Sequence, residues 1–264
     1  MNWQIVRGLV LRHTYLYRRS VPRMIEMVFW PLMDLLVWGF LTVYLKDIHS
    51  GPAGAVTYLL GAMIFWDILF RSQQGVTMSF LEDVWSRNIL NVFVAPVRVR
   101  EFLAATYFVG LFKVAVIVVL LSTLSILLYH FNIYDMGLGL VPFFANLILM
   151  GWGLGMVATA LILRYGQSVE TLAWAIPFLL QPLAAVFYPV RVLPHWLQPV
   201  SWCLPATHVF EGMRAVLRGE GFPMQHLLWA SALNVIFYAV EAWFFSRMFA
   251  SARKKGFLAK LATR

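Results

Sequence analysis

The chain has 264 residues, of which 61% are hydrophobic and only 12% are charged. Soluble globular proteins carry roughly a quarter charged residues, so this composition excludes an ordinary soluble domain and indicates a membrane protein. The formal charge of +9 does not indicate a nucleic-acid partner, because the basic residues gather near the two ends of the chain, as the positive-inside rule describes. A single cysteine, Cys203, excludes an intrachain disulfide.

Residues 2–20 predict an amphipathic helix. Trp3, Leu9 and other apolar side chains fill one broad arc of this helix, and four arginines lie opposite (Arg7, Arg12, Arg18 and Arg19). Such a helix lies in the headgroup layer with its cations toward anionic lipid, and a plain basic cap before the first span is the alternative. We divide a single domain into this interfacial helix (residues 1–23), a membrane core (24–250) and a basic cytosolic tail (251–264).

Six stretches have the roughly 20 apolar residues that a bilayer core requires. Their predicted bounds are residues 25–45, 56–80, 102–128, 138–163, 171–187 and 227–249. Arginine and lysine are concentrated in the stretches that an even number of spans places on one side, so both termini are expected in the cytosol. The fourth stretch has Gly151, Gly155 and Thr159 at four-residue spacing, which lets this face pack closely against protein.

Five ionisable residues lie inside these stretches: Asp34, Asp67, Arg71, Lys113 and Glu241. A charge in lipid is costly, so each must face protein or water. Asp67 precedes Arg71 by four residues, which puts both side chains on one helix face and predicts an ion pair. An ion-coupled secondary transporter that uses Asp34, Asp67 and Glu241 is the main alternative function on these grounds.

The charged stretch LEDVWSRNILNVFVAPVRVRE occupies residues 81–101, between the second and third predicted spans. Its apolar residues recur at steps of three and four, with Glu82, Asp83 and Arg87 on the other side. We therefore predict a short amphipathic helix over residues 81–94, which Pro96 ends. Such a helix is typical of a contact surface for a cytosolic partner, and a solvated helical loop is the alternative.

Residues 177–226 are too rich in proline to form a span and too apolar for an ordinary loop. Irregular backbone at membrane depth is tolerated only where protein or a water-filled cavity supplies its hydrogen bonds. We predict short helices that enter the outer leaflet and turn back, and an interfacial loop lying flat is the alternative.

No catalytic motif is present in the sequence. GxxxxGK[ST], GxSxG and HExxH are all absent, so the chain is predicted not to be an enzyme and not to hydrolyse ATP by itself. His208 and Glu211 lie one turn apart with His195 nearby, but a third ligand at fixed spacing is missing, so we expect no metal site.

Two of these stretches resemble the permease subunits of type-2 ATP-binding-cassette (ABC) exporters. The loop after that family's second span carries an acid, an asparagine, a proline and a glutamate, which Glu82, Asn88, Pro96 and Glu101 match. The family's outer re-entrant hairpin resembles VFYPVRVLPHWLQPVSWCLPATHVFEGMRAVL, with matches at Phe187, Tyr188, Pro189, Leu193, Pro194, Trp196, Pro205, Thr207 and Arg214. The resemblance covers nearly the whole chain.

The resemblance implies an all-α polytopic membrane protein with six transmembrane helices, an N-terminal amphipathic interfacial helix, a cytosolic coupling helix and an outer re-entrant hairpin. It implies that two copies form the pathway in the plasma (inner) membrane, in contact with lipid, and that a separate cytosolic ATPase subunit binds below. The chain would then bind no cofactor, because ATP and Mg belong to the partner subunit. The implied coupling residues are Glu82, Asp83, Trp85, Arg87 and Asn88, and the implied outer gate residues are Tyr188, Pro189, Pro194, Trp196, Pro205 and Arg214.

The substrates of this family range over lipid-linked glycans, polysaccharides and hydrophobic or drug-like molecules, and the sequence selects none of them. Besides the secondary transporter, a membrane enzyme that acts at the outer leaflet is the remaining alternative.

Overall fold

The computed structural model describes residues 1–48 and 54–254. The fold of these ranges is all-α: 85% of the residues are helical and none forms a strand. The α-helices of these ranges are, in chain order, α1 (Trp3–Arg18), α2 (Val21–Ile48), α3 (Gly54–Trp85), α4 (Ile89–Val94), α5 (Val99–Tyr129), α6 (Leu140–Tyr165), α7 (Leu172–Leu183), α8 (Gln198–Trp202), α9 (Pro205–Leu217) and α10 (Met224–Lys254). Three short 3-10 turns accompany them (Ile133–Gly139, Gln167–Val169 and Val190–Val192). Below, the inner end is the part that holds α1 and α4, and the outer end is the part that holds α8 and α9.

Four of these helices are long and apolar enough to cross a membrane by length and composition: α2 over Val21–Leu45, α5, α6 and α10. They coincide with four of the predicted spans. The other two predicted spans fall on α3, which has 32 residues but many buried polar side chains, and on α7, which has 12 residues and contains Pro177 and Pro182. The arrangement of six spans therefore stays a prediction.

The helix α3 is central and packs against α2, α5, α6, α7 and α9. Two of these contacts depend on glycine, because a side chain would not fit. A Cβ added at Gly151 of α6 would lie 2.6 Å from the Leu69 carbonyl oxygen, and one added at Gly75 would lie 2.6 Å from Cα of Gly110 on α5. The prediction that the Gly151 face packs against protein is confirmed, and its partner is α3.

The helix predicted over residues 81–94 is wrong in its bounds. Residues 81–85 are the last turn of α3, and α4 begins only at Ile89. Between the two helices Arg87 takes a left-handed conformation with φ 54°, and the Asn88 amide donates to the Asp83 carbonyl at 2.9 Å. The sequence has no proline or glycine between Gly75 and Pro96, so the apolar periodicity continued across a break that local sequence did not mark.

The N-terminal helix α1 occupies the segment predicted to be helical and packs against α5 and α2. It begins at Asn2, whose side chain accepts a hydrogen bond from the Gln4 amide at 3.0 Å, and its buried Val6 and Leu9 pack with Ala105 of α5. At the other terminus, the predicted tail of residues 251–264 starts within α10, and residues 255–264 lie outside the described part of the chain.

Candidate functional site

At the inner end, two neighbouring carboxylates on the last turn of α3 attach α1 to the bundle. Asp83 forms an ion pair with Arg12, and Glu82 Oε1 accepts a hydrogen bond from the Tyr17 hydroxyl at 2.9 Å. His13 Nδ1 lies 3.8 Å from Glu82 Oε2. Burial alone would raise the pKa of Glu82, but the nearby His13, the charge of Lys113 and the Tyr17 hydroxyl together hold that pKa below its usual value. Glu82 is therefore a carboxylate at neutral pH.

The expectation that Glu82 and Asp83 lie on an open surface is wrong. Glu82 is 8% exposed and Asp83 is 0% exposed, because α1 covers them. Periodicity correctly separated the charged side of this turn from its apolar side. It could not show that the charged side meets the polar side of another helix of the same chain.

A third acid, Glu101, holds the start of α1. One of its carboxylate oxygens accepts from the Asn2 amide at 2.7 Å, and the other accepts from the Arg98 amide at 2.9 Å. The second contact caps α5, since Glu101 lies in its first turn. The resemblance marked Glu101 only as the start of a span, and its contact with the N-terminal helix was not predicted.

The exposed part of the inner end consists of other residues. Trp85 is 45% exposed, and its indole Nε1 donates to Glu170 Oε2 at 3.1 Å, in the turn between α6 and α7. Arg87 is exposed, and Asn88 is half-buried and accepts from the Asn91 side-chain amide at 3.1 Å.

The helix α4 is divided between a buried side and an exposed side. Ile89 and Val92 are buried in an apolar cluster with Phe80 and Phe245, whereas Val94 is 84% exposed. A large aromatic side chain and an exposed valine beside charged and amide groups form a surface suited to a protein partner. We call Trp85, Arg87, Asn88, Asn91 and Val94 the inner surface.

Two of the ionisable residues in the membrane core neutralise each other. Arg71 Nε donates to Asp67 Oδ1 at 3.2 Å, the pair that their spacing predicts, and Asp67 is buried. Asp34 is exposed on α2, on the same side as Trp30, Val37 and Tyr44, and its charge interacts with that of Arg71. An exposed acid within an apolar helix requires protein or water beside it.

Glu241 of α10 is buried against α6. Its carboxylate occupies the space beside Gly153, where a side chain would overlap it, and it has no hydrogen-bond or ion-pair partner within residues 1–48 and 54–254. Nearby, the Tyr238 hydroxyl donates to the Tyr107 hydroxyl at 3.0 Å, and Tyr107 stacks on Trp152 with ring centres 4.4 Å apart. Sequence reasoning found Glu241 but not these aromatic neighbours, which lie on three different helices.

At the outer end, Arg214 of α9 is the centre of the irregular backbone that follows α7. Its guanidinium is 5% exposed, donates to the Ala185 carbonyl and, at 3.1 Å, to the Val186 carbonyl, and lies 2.8 Å from Glu211 Oε1. The guanidinium also lies 4.5 Å from the centre of the Tyr58 ring. The Ala185 and Val186 carbonyls of this bend are thus bonded to protein, as irregular backbone at membrane depth requires.

Two further contacts complete this bend. The Tyr58 hydroxyl donates to the Val186 carbonyl, and Glu211 Oε1 accepts from the Val190 amide at 2.8 Å. Burial raises the pKa of Glu211, while the Val190 amide acts in the opposite direction. Sequence reasoning considered Glu211 only as a metal ligand and missed its structural contacts.

The other residues predicted for the outer gate do not form one cluster. The Tyr188 hydroxyl donates to the Pro182 carbonyl at 2.8 Å, Pro205 begins α9, and Trp196 is 75% exposed. Pro189 precedes the 3-10 turn Val190–Val192, and the Pro194 carbonyl accepts from the Leu197 amide at 2.8 Å. Arg214 donates to the carbonyls of residues 185 and 186, and Tyr188 packs against the apolar cluster that contains Ala185.

His208 does not pair with Glu211. Its Nε2 lies 2.9 Å from the Trp202 carbonyl oxygen, and its Nδ1 lies 3.5 Å from Nδ1 of His226. Burial and the neighbouring His226 lower the pKa of His208. Within the described ranges no three histidine, cysteine or acidic side chains gather closely enough to hold a metal ion.

The apolar helices and the all-helical fold define a multi-pass membrane protein. The sequence model of the ABC-2 type transporter family matches residues 6–217, and the chain belongs to this family. The match includes α1, the inner surface and the outer bend at Arg214. No curated protein matches the chain. Permease domains of this family lack ATPase motifs and typically work with a cytosolic ATPase partner.

Proposed function

We propose that the chain is the permease subunit of an ATP-driven exporter, and that it works as a homodimer with a separate ATPase subunit that supplies ATP and Mg. The family match over residues 6–217 is the observation that carries this proposal. In this account the chain lies in the plasma membrane with both termini in the cytosol, as the distribution of arginine and lysine predicts.

The inner surface is the proposed contact with the ATPase. Trp85, Arg87 and Asn88 keep the coupling role that the resemblance implies. Glu82 and Asp83 act indirectly, because their side chains are buried and bind α1. Movement of the inner surface would pass to the bundle through α3, whose last turn carries Trp85, and through the apolar side of α4.

The exposed face of α2 supports the proposed homodimer. Asp34 lies on this face among large apolar side chains, and an acid is costly in contact with lipid. Arg71 of the same chain interacts with the charge of Asp34, and a second copy of the chain, or a water-filled pathway between two copies, would cover the part of this acid that stays exposed. The substrate would be a lipid-linked glycan, a polysaccharide or a hydrophobic or drug-like molecule.

The proposal is tested by coexpressing the chain with a candidate ABC ATPase subunit from the same genome and measuring copurification, ATP hydrolysis and ATP-dependent transport in vesicles. We expect no hydrolysis by the permease alone. Trp85→Ala should weaken ATPase binding by about 2 kcal/mol, roughly thirtyfold in Kd, because buried aromatic anchors dominate interfaces. The yield of folded permease should not change, since Trp85 is 45% exposed and its hydrogen bond to Glu170 lies at the surface.

Trp196→Ala is the matched control, because Trp196 is an exposed tryptophan at the outer end and should leave ATPase binding unchanged. Equal ATPase recovery with Trp85→Ala and the native chain would remove the coupling role. Transport driven by an ion gradient without ATP, and lost in Glu241→Gln, would instead favour the secondary transporter.

A further inference from the structure

A groove of about 680 Å³ opens between α1, α2 and α5 at the inner end. Its walls are largely apolar and include Val6, Val10, Met27, Phe108 and Phe112. Trp3 and Phe112 are mostly exposed at its edge. The volume falls within the range of about 300–1,000 Å³ that is usual for small-molecule sites. The inner surface described above contributes no residue to this groove.

Three cations line the same groove: Arg7 and Arg18 of α1 and Lys113 of α5. None of them lies within ion-pair distance of a carboxylate in the part of the chain that the structure describes. Lys113 Nζ donates to the Tyr17 hydroxyl at 2.5 Å and lies 3.9 Å from the centre of the Tyr17 ring. Glu82 contacts the same hydroxyl, and the charges of Glu82 and Glu26 act on Lys113 without direct contact.

Lys113 lies within one of the four helices that are apolar enough to cross a membrane. An ammonium group has three donors and is costly in lipid unless an anion or water balances its charge. A phenol is a weak substitute for an anion. The groove therefore presents, beside apolar walls, positive charge that no carboxylate of the described residues contacts directly.

We propose that the groove binds an anionic phospholipid, with an acyl chain along the apolar walls and the phosphate near Lys113, Arg18 and Arg7. Only a ligand with both parts matches both sides of this groove. A soluble anion would leave the apolar walls uncovered, and a neutral lipid would leave the cations unpaired. Bonds from arginine or lysine to phosphate are among the stronger hydrogen bonds in proteins.

The bound lipid would contact all three elements at once. It would therefore hold α1 against α2 and α5, whereas Asp83 and Glu82 hold α1 against α3, the latter through Tyr17, which also lines the groove. The site is a fixed lipid site of the permease and shares no residue with the proposed contact with the ATPase.

The test uses the full chain in nanodiscs that contain phosphatidylcholine and a photoactivatable phosphatidylglycerol, without ATP or an ATPase subunit. Cross-linked peptides are identified by mass spectrometry. We expect labelling on residues 3–18 and 108–113. Unlabelled phosphatidylglycerol should compete for this labelling, and phosphatidylcholine or glycerol phosphate should not.

Two kinds of variant locate the site. Arg18→Gln and Lys113→Met should each reduce the labelling about tenfold, as loss of a charged hydrogen bond predicts. Thr14→Trp should do the same by filling the groove, since Thr14 is an exposed residue of its lining. Arg19→Gln is the control, because Arg19 lies next to Arg18 in the chain but does not line this groove. Circular dichroism and monodispersity show that each variant is folded.

Three results would overturn the proposal. Labelling spread evenly over the apolar helices would mean that no site exists, and equal competition by phosphatidylcholine would mean that the charge plays no part. Disulfide cross-linking between copies that carry Phe112→Cys would mean that a second copy covers the groove. Because no ATP is present, none of these results depends on whether the chain is an exporter.

Discussion

The inner and outer ends of the molecule both depend on charged side chains, but they use them differently. At the inner end, Asp83 and Glu82 bind side chains of α1, a helix whose own backbone groups are bonded to one another. At the outer end, Arg214 donates to the carbonyls of Ala185 and Val186, which lie in the irregular backbone after α7 and belong to no helix. The inner contacts therefore join two helices whose backbones are already hydrogen-bonded, whereas the outer contacts fix the backbone conformation of an irregular segment.

The energetic consequence follows from what remains after a contact is removed. A buried carbonyl without a donor costs about 1–3 kcal/mol, and a buried charge without a partner costs more. Arg12 has a side chain that is 29% exposed, so water can solvate it when Asp83 is removed. We therefore expect larger effects at the outer end than at the inner end.

The largest effect is expected for Arg214→Met, which leaves the Ala185 carbonyl without a donor and Glu211 without its ion-pair partner, while the Val186 carbonyl keeps the Tyr58 hydroxyl. We expect a loss of about 3–5 kcal/mol, seen as a collapse in the yield of monodisperse protein after detergent extraction. Arg218→Met is the matched control, because Arg218 lies one turn later and its ion pair with Glu220 is exposed. That change should cost less than about 1 kcal/mol. Equal yields for the two variants would contradict the central role of Arg214.

An intermediate effect is expected for the ion pair of Asp67 and Arg71, which lies between the two ends and has both partners on α3. Asp67→Ala or Arg71→Ala should each destabilise the chain by about 3 kcal/mol, because each leaves one charge of a largely buried pair alone. The double variant Asp67→Leu with Arg71→Met should recover part of the loss. Thermal unfolding followed by tryptophan fluorescence measures all three. If Asp67→Asn folds normally but abolishes transport and its pH dependence, Asp67 carries protons and is not merely a neutralising partner.

The smallest effect is expected for Asp83→Asn, which removes one partner of the ion pair with Arg12. We expect about 1 kcal/mol, or roughly fivefold faster hydrogen exchange in α1, with the rest of the bundle unchanged. Arg12→Gln should cost more, because it leaves the fully buried Asp83 carboxylate without its partner, and the double variant should recover that extra cost, because the two changes remove the same contact. Loss of folded protein from Asp83→Asn alone would mean that the inner end is as essential to the fold as the outer end.

Several features of the molecule could be predicted from the sequence because they depend on local spacing or composition. Asp67 and Arg71 are four residues apart, so a helix places them together whatever surrounds it. Gly151 and Gly155 mark a face of α6 that must approach another helix. The prolines between residues 177 and 226 exclude a continuous span there. The family resemblance added the positions of the inner loop and the outer hairpin.

The helix break at Arg87, and the contact of Glu82 and Asp83 with α1, could not be predicted in this way. Serine, arginine and asparagine are weak turn signals, so the end of α3 is decided by the packing of Ile89 and Val92 into the cluster around Phe80. Length and composition also do not test the two predicted spans on α3 and α7. In the case of α3, the helix is surrounded by protein and can carry polar side chains that a lipid-facing helix could not.

The sequence by itself determined that this protein is a helical membrane protein, where its charged residues lie along the chain and which family pattern they follow. Only the tertiary structure decided which charges meet. Asp83 pairs with Arg12, which lies 71 residues away in the sequence, and Arg214 donates to the carbonyl of Val186, which lies 28 residues away. Such pairs depend on how whole helices are placed, and that placement is set by apolar packing and close contacts at glycine. A charge pattern read along one helix contains no information about the helix that will cover it.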